Sequence, residues 1–248
     1  MELLAGFTAL QLAVALGTGL SAAFIRGLAG FGLAILLVPV LALALTPVEA
    51  VLTTNVVAML IGGIELPRLL REAEKSVWTI IGLVLLTTLP GLMLLAATPP
   101  DLARLLIALV ALSAFFAILF PVREPEQPGP VITGLTGVAT GLLTGFAGMP
   151  GPPVVPYYVG RAIPRHVAKS SMILIFTCAA AIGIGSGVAI GAMEWRLALL
   201  GAMLLPVVLA GTWLGRNAVG HVTDRAWRIF VGLVLAAAAI AALVKLVG

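Results

Sequence analysis

Gly27-Leu28-Ala29-Gly30-Phe31-Gly32 and Gly145-Phe146-Ala147-Gly148-Met149-Pro150-Gly151 are the two stretches on which the reading of the fold turns. Each sets several glycines inside an apolar run, and the second begins 118 positions after the first, at 145 against 27. The echo continues at a spacing of 117, pairing Pro39 with Pro156, Pro47 with Pro164, and Thr53-Thr54 with Ser170-Ser171. Asp101 and Asp224 each open the last apolar segment of their half. One glycine-rich hexamer is weak evidence, but an ordered series predicts a duplicated chain. The polar Pro/Glu/Gly stretch 122–130 is the expected linker between halves 1–121 and 131–248.

Composition sets the solvent. Of 248 residues 61% are hydrophobic and only 10% charged, with a mean hydropathy of +1.20, against about 25% charged in soluble domains. Runs such as Ser76–Ala97 and Leu102–Val122 reach the ~20 residues a helix needs to cross a bilayer. The lipid bilayer is therefore the principal partner. The net charge of +4 does not imply nucleic acid, because the cations lie between apolar segments and form no basic stripe. Cys178, the single cysteine, reads as a small buried hydrophobe. Met1-Glu2-Leu3-Leu4 has no basic start, so no cleaved signal peptide is expected. Walker A, H-E-x-x-H and G-x-S-x-G patterns are missing, and His166 and His221 lie apart in basic loops. Neither an enzyme, a cofactor nor a metal site is expected.

The glycine-rich breaks allow two threadings. If Leu3–Leu45 and Val131–Gly160 are long broken helices, the twelve cations outside apolar segments divide six to six between the two faces. If each folds back as a hairpin, Arg68, Arg71, Lys75, Arg123, Arg161, Arg165, Arg216, Arg225 and Arg228 share one face, against Arg104, Arg196 and Lys245. Cytoplasmic loops carry the excess of Lys and Arg, so the hairpin threading is preferred, with both termini outside. The expected fold is an all-α polytopic membrane protein of two inverted repeats, each a glycine-broken hairpin plus three transmembrane helices. The first half holds hairpin 4–45 and helices 48–66, 76–97 and 101–120; the second holds hairpin 131–160 and helices 165–190, 194–215 and 224–246. In such repeats substrate binds near the midplane, where the broken helices meet.

Non-helical backbone at membrane depth must line protein or a watery cavity. Bare amides at Gly27, Gly30, Gly32, Gly148 and Gly151, beside the positive end of a following helix, suit a small anion; Phe31 and Met149 share these tips. Taken alone, the glycines would serve equally for tight turns and close packing. Arg26, just before the first tip, and Lys169, one turn into the helix after the second, would give one cation from each half; the competing reading is snorkelling to the surface. Thr53, Thr54 and Asn55, roughly 10 Å into their helix, and Ser170 and Ser171 could donate to an oxyanion, or bond to the preceding turn or across a helix interface. One of Tyr157 and Tyr158 is expected in the interfacial belt, and Glu65 in an ion pair with Arg68.

The same residues, Gly27 to Gly32 with Pro39 and Gly145 to Pro152 with Pro156, Pro164, Ala168 and Ser170-Ser171, resemble the sulfite exporter TauE/SafE family of membrane permeases. The resemblance covers nearly the whole chain, although Met149-Pro150 stands where the family pattern has further glycine. It implies export of sulfite or an organosulfonate, by alternating access, across a bacterial cytoplasmic membrane. The residues themselves reach only an anion carrier, with a passive anion channel or a membrane-embedded enzyme or assembly factor as alternatives. A coupling proton or cation has no signature in the sequence, and a homo-oligomer is compatible with it.

Overall fold

The computed structural model describes residues 2–4, 6–29, 32–119, 128–159, 161, 163–219 and 224–247. Gly30, Phe31, Arg123 and His221 lie outside them, as does most of the expected linker. Gly32, at φ +100°, precedes one helix, and Gly148, at φ +64°, ends another. Both are left-handed conformations that glycine adopts without a Cβ penalty. Helix α1 (Ala9–Ala29) leads to the first break and α2 (Leu33–Ala44) leaves it. Helix α6 (Pro130–Ala147) leads to the second, and α7 (Gly151–Val159) leaves it.

Each pair of arms enters and returns on one face. Gln11 Nε2 near the start of α1 donates to the Ala44 carbonyl at the end of α2 at 3.0 Å. Thr133 near the start of α6 shares a 2.8 Å hydroxyl bond with Tyr157 near the end of α7. These closures select the hairpin threading.

The remaining helices are α3 (Pro47–Glu72), α4 (Ser76–Ala97), α5 (Pro100–Leu119), α8 (Arg165–Ala189), α9 (Trp195–Asn217) and α10 (Asp224–Val247). Seven helices among the described residues are long and apolar enough to cross a membrane, so the chain is a multi-pass, all-α membrane protein. Large apolar side chains such as Leu86, Leu135 and Leu233 are exposed on its outside, where lipid solvates them.

Two boundaries differ from expectation by several residues. The first arm begins at Ala9, not at residue 4, and a short antiparallel ladder, β1 (Glu2–Leu4) with β2 (Phe7–Thr8), precedes it. Thr8 and Gln11 explain the start: the Gln11 amide donates to Thr8 Oγ1 at 3.2 Å and the Thr8 amide to Gln11 Oε1 at 2.9 Å, a reciprocal cap that fixes a helix N-terminus. Helix α3 runs past Pro67 to Glu72. The amide that Pro67 lacks would have bonded the Gly63 carbonyl, but both residues are exposed and the Arg68–Glu72 pair at 2.8 Å holds the last turn. Arg68 thus pairs with Glu72, one turn ahead of it, and not with Glu65.

Helix α3 starts with the same device, Thr46 and Glu49 bonding reciprocally at 2.8 and 3.3 Å with Pro47 at the first helical position. Thr46→Ala should cost about 1 kcal/mol, read as a lowered melting temperature in detergent; an unchanged midpoint would show that packing alone sets this end of α3.

Glycines set the helix packing. Helix α4 lies along α6 and α1 lies along α9, while α3 runs beside α8 and α5 beside α10. A Cβ on Gly145 of α6 would strike backbone at Thr88, Gly91 and Leu92 of α4; one on Gly27 of α1 would strike backbone at Thr212, Gly215 and Arg216 of α9. Thr212 and Gly215 stand 124 positions after Thr88 and Gly91. Such close approach is how membrane helices gain packing energy without a hydrophobic drive between them.

Candidate functional site

A cavity of about 270 Å³ lies where the two breaks meet, and Gly32, Gly148, Met149 and Gly151 all line it. Its walls on α3 run from Thr54 and Asn55 through Ala58 to Ile61 and Gly62, about 12 Å of helix. On α8 they run from Ile173 through Phe176 and Thr177 to Ala180. The long axis of the cavity therefore follows the helices.

Polar groups enter this largely apolar space at few points. Arg26, in the last turn of α1, lines it and has no carboxylate at ion-pair distance among the described residues. Helix α2 opens at Gly32 with no side-chain cap, so its first-turn amides at Leu33, Ala34 and Ile35, all cavity residues, have no side-chain acceptor among the described residues. Thr54 and Asn55 are 0% and 2% exposed, and Thr54 Oγ1 and Asn55 Nδ2 have no hydrogen-bond partner among the described residues. Buried polar atoms are nearly always paired, so these two orphans on residues of one cavity wall stand out; Asn55 Nδ2 packs toward Gly183 of α8, where an added Cβ would strike it. Thr177, by contrast, already donates to the Ile173 carbonyl at 2.8 Å.

The second break offers fewer donors than its glycines suggest. The Gly148 and Met149 amides are spent on the Thr144 and Leu143 carbonyls, at 3.0 and 3.2 Å, capping α6. Pro152 and Pro153 then remove two amide protons from the first turn of α7. The donor-rich break is the first.

Of the sequence candidates, Arg26, Gly32, Thr54, Asn55, Gly148, Met149 and Gly151 are brought together around the cavity. The others in the described residues are placed elsewhere. Gly27 packs against α9, and Thr53, fully buried, lies outside the cavity lining with its own hydroxyl unpaired. Lys169 is exposed. Ser170 donates to Glu72 at 2.6 Å, and Ser171 accepts from the Glu74 amide at 2.9 Å, so both cross a helix interface. Ile173, Phe176 and Ala180 went unnoticed in the sequence, although their spacing of three and four marks one helical face.

Residues 15–242 match the family described as Sulfite exporter TauE/SafE. The chain belongs to that family. It is also similar to the Probable sulfite/organosulfonate exporter TauE of Cupriavidus necator, 27% identical over 124 residues that make up 50% of this chain and 48% of the relative. The match thus spans about half the length of that protein. No solved structure matches.

A second polar cluster in this TauE/SafE member stands at the outer end of α7. Arg161 grips Glu74, between α3 and α4, with two bonds of 2.5 and 3.1 Å, and its guanidinium lies 5.2 and 5.8 Å from the ring centres of Tyr157 and Tyr158. Both tyrosines are buried, at 4% and 1% exposure, and bond Thr133 and Ser76, which corrects the expected interfacial belt. Burial alone would raise the Glu74 carboxyl, but the bonds from Arg161 and Ser76 outweigh it and hold the group below its ordinary range.

Proposed function

We propose that the chain is a secondary carrier that exports a small sulfur-containing oxyanion, sulfite or an organosulfonate, across the bacterial cytoplasmic membrane by alternating access. The observation that carries this reading is the meeting of Arg26, Thr54, Asn55 and the first turn of α2 around one cavity between two helix breaks. An intramembrane cation costs at least ~2.5 kcal/mol to insert, and orphaned donors add the cost of unmade bonds. A bound oxyanion offsets both. The sulfur in the reading comes from the family and from the name of the Cupriavidus relative.

Two further features belong to the proposal. Gly27 against Thr212 and Gly215, and Gly145 against Thr88 and Gly91, support inverted repeats, since one packing contact is made twice by corresponding residues of halves 1–121 and 131–248. The cation-rich face, with Glu74 and Arg161, is assigned to the cytoplasm, which puts both ends of the chain in the periplasm.

Proteoliposomes loaded with sulfite, an alkyl sulfonate or sulfate test the carrier. Saturable flux with counterflow of one sulfur anion is the expected outcome. Flux no greater than from empty vesicles for every anion overturns it, and conductive flux without saturation replaces it with an anion channel.

A further inference from the structure

The two short arms are held in different ways. At the outer end of α2 the Ala42, Leu43 and Ala44 carbonyls accept from Arg104 at 2.7 Å, Lys245 at 3.1 Å and Gln11 at 3.0 Å. Eight of the twelve residues of α2 are buried. These bonds satisfy carbonyls that a helix end leaves free, two of them with cations set favourably against the helix dipole.

Helix α7 is less well supported. It has nine residues, three of them proline, at 152, 153 and 156, well below the roughly 12 residues at which an isolated helix becomes even marginal. Val155, Pro156 and Val159 border the cavity, so this side of the arm has no packed partner. Only Val154, Tyr157 and Tyr158 are buried. That buried face packs against α6 and α8, and the two ends are held by the capped turn at Gly148 and the cluster at Arg161.

That cluster is built around one ion pair. Glu74 is itself fixed, its amide donating to Ser171 and its carboxylate accepting from Ser76 at 2.5 Å. The Arg161 side chain is only 10% exposed, yet its Nε has no partner among the described residues. A buried guanidinium with one donor unmet is held less completely than its two good bonds suggest.

We propose that the Glu74–Arg161 pair on its tyrosine platform is a latch for α7, and that releasing it moves this arm and opens the cavity to water at the face bearing Glu74. Arg161 and Glu74 are positioning residues that touch no substrate. The latch rests on the carrier reading only in treating this cavity as the transport site.

The test uses the full chain with Cys178→Ser, which removes the single cysteine, and Val155→Cys as a reporter on the cavity wall. The rate of modification by a small charged methanethiosulfonate in detergent solution reads access to the cavity. Glu74→Gln and Arg161→Gln should each raise that rate about tenfold, the population shift expected from losing a charged hydrogen bond. Exchanging the pair, Glu74→Arg with Arg161→Glu, should return it toward the parent value. Unchanged rates in both single variants, or an exchange as fast as they are, overturn the latch. Should those variants not survive extraction, Ser76→Ala, which removes the bonds to Glu74 and Tyr158, and Tyr158→Phe, which removes the second of them alone, must each raise the rate by a smaller factor; no change there overturns it equally. Anion flux by the parent is measured alongside. Flux without a labelling response removes the latch alone, and a labelling response without flux removes the carrier alone.

Discussion

Arg26→Ala should raise the KM for the transported anion roughly 10- to 100-fold, the range that follows from losing a charge-assisted hydrogen bond of about 1.5–3 kcal/mol. The same variant should fold in normal yield and melt no lower than the parent. Arg26 lines the cavity from the last turn of α1 and has no ion-pair partner among the described residues. Removing it therefore breaks no contact ion pair, Glu65 acting on it only from a longer range, and relieves the cost of a cation in the membrane. A structural arginine would behave in the opposite way, since breaking a buried pair strands its partner and costs 3–5 kcal/mol by typical values. Uptake kinetics in proteoliposomes, read beside a melting curve, separate the two. Arg26→Lys should recover part of the loss, because it keeps the charge and forfeits the planar fork. An unchanged KM, or a protein that no longer folds, would remove Arg26 from the site.

The positions of the two breaks were legible because backbone chemistry marks them. Gly32 and Gly148 occupy conformations that other residues rarely adopt, and the cation count chose between threadings because only the hairpin gives the faces unequal charge. Direction around a helix was not legible. In a bilayer both the buried and the lipid-facing sides of a helix are apolar, so the pattern that orients a helix in water loses its contrast. Lys169 shows the consequence: it is exposed while Ala168 and Ser170 beside it are buried, and rise per residue fixed its depth but not its bearing. Tyr157 and Tyr158 went astray for a related reason. A tyrosine at an interface and one buried with a hydroxyl partner have the same local sequence, and only the fold brings Thr133 and Ser76 within 2.8 and 2.7 Å. The reach of α7 to Glu74 through Arg161 is longer still, 87 residues along the chain, and a loop cation gives no local sign of it.

Gly145→Ala should abolish most of the folded protein, while Gly134→Ala on the same helix should leave the yield unchanged. The Cβ added at Gly145 would stand 2.5 Å from the Leu92 amide nitrogen and 2.8 Å from the Gly91 carbonyl carbon, whereas at Gly134 nothing lies within 4 Å. Overpacking against mobile side chains costs about 1–3 kcal/mol, but here the obstacle is backbone, which gives only if α4 and α6 separate along their length. Separation forfeits the van der Waals contact that holds membrane helices together. Gly27→Ala should be as damaging, since its Cβ would lie 2.8 Å from Gly215 Cα and 2.9 Å from the Arg216 amide nitrogen. Monodisperse yield after extraction, compared across the three variants, reads the effect. A well-folded Gly145→Ala protein would mean that α4 and α6 are less close than described. Gly145→Ala failing while Gly27→Ala folds would bear on the repeat: equal consequences are what a contact inherited twice requires, and unequal ones would leave the two crossings merely similar.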